Sequence, residues 1–457
     1  MAMGRQAGEQ QAMWVATQDL PKSQGHPFYR KLNRVLAKAG FDRLVEELCE
    51  PYYAEAGRPS VPPGVYFRML LIGYFEGIDS QRGIAWRCAD SHCLKEILGY
   101  GLTDSTPDHS SLTYIRKRLP LEVHHQVFLF VLKIAEEKKL LKGKTVAVDS
   151  TTLEANAAMK SIVLKETGED WKEYLLRLAQ AEGIENPTDE DLRRFDKKRK
   201  NKKVSNKQWE SKTDGDSRIA KMKDGRTHLA YKAEHTLDLE TDLVLSAEVH
   251  RADRGDPDTL LQAVVGAQLN LMMSESEAVI QDAAADKGYH STENVAVLEG
   301  FGIRTYIPEK KLRGRRQWKD QPVEYRQAYY ANRRRMKGKR GKALQRKRSE
   351  LTERSFAHVC ETGGARRTWL RGVENINKRY LIQVAARNLG VILRRICGVG
   401  TPRSLQGGGL TLMGAFSALT VVLASLRRKW SPFSFVANPS QNFFVEQPQF
   451  GFWAVAR

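Results

Sequence analysis

Apolar positions along the chain follow two regimes. From Pro27 to about Leu141 they recur at helical spacing, as in Phe28, Leu32, Val35 and Leu36, then Phe41, Leu44, Val45 and Leu48. Residues 65–72 are apolar on nearly every side and predict a buried helix. Ser110-Ser111 stands where it would cap a helix over 112–119, and 123–140 predicts a longer amphipathic one. From Thr145 the period changes. Val146, Ala147 and Val148 form a short apolar run with β-branched ends, which predicts a buried strand ending at Asp149. Strand patterns return at 229–237 and 243–249, with a turn between them that predicts an antiparallel pair. A helix is expected after Asp256-Pro257, a strand over 278–285, a helix capped by Ser291, a short strand over 304–307, and helices over 350–359 and 382–396. The polar segment 153–225 is amphipathic only near 171–178, carries the basic run 193–203, and reads as a mobile basic insertion. The pattern predicts an α/β domain over 142–396 behind an all-helical region over 27–141, with residues 1–26 disordered and 397–457 a C-terminal helix and tail.

Charge sharpens this outline. The 457 residues hold 74 Lys and Arg against 54 acids, a net charge of +20, which favours a polyanionic partner, nucleic acid first. The excess concentrates in 310–348, where 17 basic residues face Asp320 and Glu324 alone, and Trp318, Tyr325, Tyr329 and Tyr330 are interleaved. Cations that track phosphates beside aromatics that stack on bases predict a nucleic-acid surface. Five cysteines in no paired pattern, and no secretion signal near Met1, imply a reducing cytoplasmic setting. Residues 410–426 lack charge, but at 17 residues with several hydroxyls they predict a buried or dimer-facing helix rather than a membrane span.

Candidate chemistry lies in carboxylates. Asp149 ends one predicted strand, and Asp286, in Asp286-Lys287-Gly288-Tyr289-His290-Ser291, ends another; Asp282 shares its strand face but sits deeper. Glu353 lies on a predicted helix, with Phe356 three residues on to hold that side against the sheet; Glu350 is the alternative acid. Such hard oxygen ligands suit Mg2+ or Mn2+, and two such ions can drive phosphodiester displacement. Cys88, His92, Cys93 and His109 lack the spacing of common zinc modules. Helix capping accounts for Asp253, Asp256 and Asp258. Gly407-Gly408-Gly409 reads as a hinge, and no nucleotide-binding fingerprint is present.

Together these motifs resemble the DDE transposases of bacterial insertion sequences. The resemblance rests on Val148-Asp149-Ser150-Thr151, Ala155-Asn156-Ala157, Tyr231-Lys232 with His235, Asp286-Lys287-Gly288-Tyr289, Glu353 with Phe356, Arg371-Gly372 and Asn388-Leu389, and covers about residues 27–396. It implies a ribonuclease-H-like mixed sheet, the triad Asp149, Asp286 and Glu353, two divalent ions (Mg2+ or Mn2+), and cut-and-paste DNA transposition. Terminal inverted repeats and target DNA would be bound by a homodimer without a nucleotide cofactor or membrane. Expected DNA contacts are Arg116, Lys117, Arg118, Lys198, Arg199, Lys200, Arg333, Arg334, Arg335, Arg340, Arg348 and Arg371. The resemblance implies a place near the active site for His235 and His290, in structural or substrate-orienting roles. Around the third acid, relatives often carry Tyr, Arg and Lys at minus seven, minus four and plus seven; here Arg346, Ser349 and Cys360 stand there, with Lys347 and Arg348 adjacent. The same acids would serve a metal-dependent nuclease, and a transposase-derived regulator without catalysis is a further alternative.

Overall fold

A computed structural model describes residue 16 and residues 25–200, 204–222, 225–310 and 316–405. The readings for most of 1–26 and for 406–457, including the uncharged stretch 410–426 and the glycine hinge, lie outside these residues. The chain begins with helices α1 (Pro27–Lys38), α2 (Phe41–Cys49), α3 (Pro63–Glu76), α4 (Gln81–Asp90), α5 (His92–Leu98), α6 (His109–Arg118) and α7 (Leu121–Glu137). The expected helix over 112–119 starts earlier, because Asp108 rather than Ser110 caps it, its carboxylate accepting from Ser110 N.

The sheet is built from β1 (Thr145–Glu154), β4 (Arg218–Lys221), β5 (Thr227–Asp238), β6 (Val244–Arg251), β7 (Asp282–Ala285) and β8 (Arg304–Tyr306). Strand β1 is central. On one side β5 runs antiparallel to it, with β6 and β4 beyond; on the other, β7 and then β8 run parallel. This is the mixed ribonuclease-H-like order expected. Helices α10 (Asp256–Met273) and α11 (Thr292–Gly300) connect β6 to β7 and β7 to β8. The strand expected from Ala278 begins only at Asp282. The Gln268 side chain donates to Ala278 O and accepts from Ile280 N, so the backbone before Asp282 is satisfied by a helix rather than a strand.

Segment 153–225, expected as a mobile insertion, holds β2 (Ile162–Leu164) paired with β3 (Trp209–Ser211), and helices α8 (Trp171–Ala181) and α9 (Asp189–Lys198) around Leu175, Ala179 and Leu192. Both helices start with a capping box, Asp170 with Glu173 and Thr188 with Asp191. Both pairs are start signals in the sequence itself, the second leading directly into the basic run.

The basic block is also helical: α12 (Val323–Lys337) and α13 (Lys339–Phe356), the latter passing into a π-helical turn over Ala357–Thr362. Helix α14 (Val373–Cys397) packs on β6 with one face and on α3 and α7 with another, so one apolar core runs through the helical layer and the sheet. Two asparagines fasten it. Asn388 accepts from Val244 N at 3.0 Å and donates to Val244 O at 2.8 Å; Asn377 does the same at Val249, at 2.7 and 2.8 Å. The spacing fits: eleven helical residues and five strand residues both span about 16.5 Å. Edge strand β6 therefore finds side-chain amides where a further strand would otherwise pair. Among the described residues no helix is long and apolar enough to cross a membrane.

Candidate active site

Pairing of β1 with β7 puts Val148 beside Ala285, so Asp286, the first residue past β7, lies about one strand spacing (~4.8 Å) from Asp149. The strand expected to end at Asp149 runs on to Glu154, because β5 keeps pairing with it, Asp149 opposite His235 and Glu154 opposite Ala230. The residues before the two aspartates, Val146–Val148 and Ala283–Ala285, are fully buried, which fixes where the carboxylates emerge. Asp282, at the opposite end of β7, is completely buried and paired with Arg304 and Arg340; it braces the sheet and does not join this edge.

Helix α13 lies across the Asp149 face. Gln345, Arg348, Thr352, Ser355 and Phe356 recur at helical spacing and point to the sheet. Thr352 Oγ1 donates to Asp149 Oδ2 at 2.8 Å, and Arg348 Nη1 reaches the same oxygen at 2.8 Å. Asp149 Oδ1 accepts from Ser150 N at 2.9 Å. Burial pushes the Asp149 carboxyl above the usual aspartate range and Asp286 adds to the push, while Thr352, Arg348 and the Ser150 N–H oppose it. His235, opposite Asp149 on β5, is wholly buried: Nδ1 meets Ser355 Oγ at 3.0 Å, Nε2 meets Tyr380 OH at 2.8 Å, and the ring stacks on Phe356. Burial keeps it neutral well below its ordinary range, so it locks α13 and α14 to the sheet.

Glu353 is less settled in its surroundings. It was expected on the side of Phe356, but Phe356 is buried and Glu353 exposed, its Oε1 accepting from Ser349 Oγ at 3.1 Å. It lies about 100° round the helix from Thr352, on the flank of the buried face, whereas Glu350 lies about 160° round and faces Arg354. Among the described residues no three His, Cys, Asp or Glu side chains converge as a metal cluster, around the cysteines or here. The aspartate pair fits a divalent cation in donor type and in its need for positive charge. Glu353 would have to turn from Ser349 to join it.

Behind Asp286, on the α10 face, sits a constellation the sequence did not disclose. Asp256, expected as a helix cap, is held by Lys232 Nζ at 2.7 Å and approached by Ser150 Oγ at 3.3 Å. Tyr289 OH and Thr259 Oγ1 both donate to buried Glu234, each at 2.7 Å. Lys232 and Asp256 are distant in sequence and meet only because the β5–β6 hairpin turns back under α10. Gly288 lies between the two acids: a Cβ there would stand 2.5 Å from Asp256 Oδ2 and 2.9 Å from Asp286 Oδ1. Gly288→Ala should therefore displace the Asp286 carboxylate and cut turnover about a hundredfold, the usual cost of a 1 Å misplacement. Single-turnover cleavage beside circular dichroism checks this; unchanged cleavage would mean the turn yields elsewhere.

The expected DNA contacts divide. Arg116 is buried, with no hydrogen-bond partner for Nε or Nη1, so it is no surface contact as it stands. Arg118 covers the Tyr53 ring, and Arg199 is held between Asp196, Trp171 and Tyr174. Arg333 pairs with Glu309, Arg335 with Glu299, Arg340 with Asp282 and Arg348 with Asp149. Lys117, Lys198, Lys200, Arg334 and Arg371 stay exposed. The interleaved aromatics are also engaged internally: Trp318, Tyr329 and Tyr330 pack together beneath Arg316 and Arg333. His290 meets the same cluster edge-on through Tyr329.

Comparison with known proteins adds a family. A model described as Transposase domain (DUF772) matches residues 16–118, and one described as Transposase DDE domain matches residues 142–389, more than half of the chain. No curated protein and no solved structure matches.

Proposed function

We propose, for a chain that belongs to the DDE transposase family and is therefore a DNA-cleaving and strand-transferring enzyme, that its catalytic centre is the pair Asp149 and Asp286 completed by Glu353. The observation that carries this reading is the β1–β7 register, which sets Asp286, just past the end of β7, beside Asp149 within β1, two acids on neighbouring parallel strands. The family uses divalent metal ions. All-oxygen donors favour Mg2+ or Mn2+, two ions, which Asp149 and Asp286, shared by one ion or bridging both, would hold together with Glu353. Bound there, such ions supply an activated water or sugar hydroxyl and neutralise the leaving oxygen. The chain's own work is to fix the carboxylates: Thr352 and Ser150 orient Asp149, and the Asp286-Lys287-Gly288-Tyr289 turn, tied to Glu234 through Tyr289, orients Asp286. Cleavage at an element end and strand transfer are both phosphodiester displacements, so one centre serves both.

For DNA we assign the exposed cations Lys117, Lys198, Lys200, Arg334 and Arg371 to phosphates of terminal repeats and target, with the helical layer over 27–141 reading the repeats. Two chains would bridge two element ends as a homodimer, acting on chromosomal DNA in the cytoplasm. Choice of the third acid is testable. Glu353→Gln should lower metal-dependent nicking at least about a hundredfold, while Glu350→Gln, whose carboxylate faces Arg354, should stay within about twofold of the unmodified protein. Nicking lost in the second variant and kept in the first would reverse the assignment.

A further inference from the structure

Asp149 Oδ2 accepts two hydrogen bonds, from Thr352 and from Arg348, which fill both of its lone pairs. A divalent cation cannot bind that oxygen while both donors stay. Thr352 belongs to the rigid buried face of α13, but Arg348 reaches Asp149 through a long side chain that is 13% exposed. Its pose is built: Arg348 Nε donates to Gln345 Oε1 at 3.1 Å, and Gln345 Nε2 donates to Tyr306 O at 2.6 Å and Ala285 O at 3.1 Å. The guanidinium is thus propped by the ends of β7 and β8 and aimed at the Asp149 carboxylate where β1 runs past them.

We propose that Arg348 is the resident counter-ion of Asp149, exchanged for the divalent cation when a DNA phosphate at the strand ends takes over its guanidinium. The inference rests on the assignment of Asp149 to metal given above. A guanidinium pairs with a phosphate in the same forked geometry as with a carboxylate, so DNA offers Arg348 an equivalent partner. Once it leaves, Asp149 is an open, desolvated carboxylate next to Asp286, which only a cation can satisfy. DNA and metal then bind cooperatively through one side chain, and by linkage each strengthens the other equally. In the free protein only Oδ1, which accepts from Ser150 N alone, keeps a lone pair for metal, so metal binds weakly there and cutting away from bound DNA is limited.

The test measures Mn2+ affinity of the full chain by electron paramagnetic resonance, with and without a short duplex of unrelated sequence, since phosphate contacts are sequence-independent. In the unmodified protein the duplex should tighten Mn2+ binding about tenfold. Arg348→Gln should bind Mn2+ about tenfold more tightly than the unmodified protein without DNA, and gain less than about twofold from the duplex. Gln345→Ala, which keeps the charge but removes its prop, should fall between them. A merely structural role would weaken metal binding in these variants, not strengthen it. Equal or weaker Mn2+ binding by both, with the DNA effect intact, overturns the proposal. Nicking of element-end DNA by the unmodified protein, read in parallel, separates the cases: nicking without the predicted affinity changes sinks only the Arg348 exchange, while no nicking in any divalent ion sinks the catalytic reading beneath it.

Discussion

Asp149→Ala and Asp286→Ala should each lower element-end cleavage more than about a thousandfold while DNA affinity changes by less than about threefold. The first figure follows from the role proposed for a carboxylate at this edge: it would hold the cation that stabilises the displaced oxygen, and single groups that stabilise such charge are worth about 10²–10³ in rate, more when a bound ion goes with them. The second follows from where DNA is held. The phosphate contacts proposed above are exposed cations, and these persist when an acid is removed. Asp149→Ala also frees Arg348, so binding to DNA should tighten slightly if it changes at all. Nitrocellulose filter binding beside gel-resolved cleavage measures both. Cleavage within about tenfold of the unmodified protein in either variant would remove that residue from the centre.

The second large effect concerns the fold. Asn388→Leu should destabilise the protein by about 2–5 kcal/mol, because Val244 N–H and C=O on a buried strand lose the side-chain amide that pairs with both, and each unsatisfied buried group costs about 1–3 kcal/mol. Asn377→Leu should cost as much at Val249. The double variant should add the two, since five strand residues separate the sites. Urea unfolding followed by tryptophan fluorescence gives the numbers. A loss below about 0.5 kcal/mol would mean that β6 is sealed by something other than α14.

Much of the candidate site is readable from local pattern. The apolar run into Asp149 and the Ala-rich approach to Asp286 reveal themselves because buried strands need apolar residues on both faces; the change of polarity marks the end of β7 at Asp286, but at Asp149 it marks only where β1 emerges from the buried core, since the strand runs on to Glu154 against β5. The helix starts at Asp256-Pro257 and Ser291 were legible for the same local reason. What stayed hidden depends on contacts distant in sequence. Asn388 stood out only through family resemblance, and its partner Asn377 not at all, since a side-chain amide gives no sign of the strand it will clamp. The pairs Lys232–Asp256 and Arg348–Asp149 join residues that pattern alone cannot connect. In the basic block, charge density concealed two helices, and arginines read as waiting for phosphate hold Glu309, Glu299 and Asp282 instead. A cation in a sequence announces a need for an anion without saying whether the protein already supplies one.

The central claim is that the neighbouring aspartates Asp149 and Asp286 cut DNA at element ends with divalent metal. The most direct test incubates the purified full chain with DNA carrying its own element end, in Mg2+ or in EDTA, and maps every strand break to the nucleotide. A 3′-hydroxyl freed at the element boundary only in Mg2+, and absent with Asp149→Ala, is the predicted result. Cleavage that persists in EDTA, or tight binding with no break in any divalent ion, would contradict it.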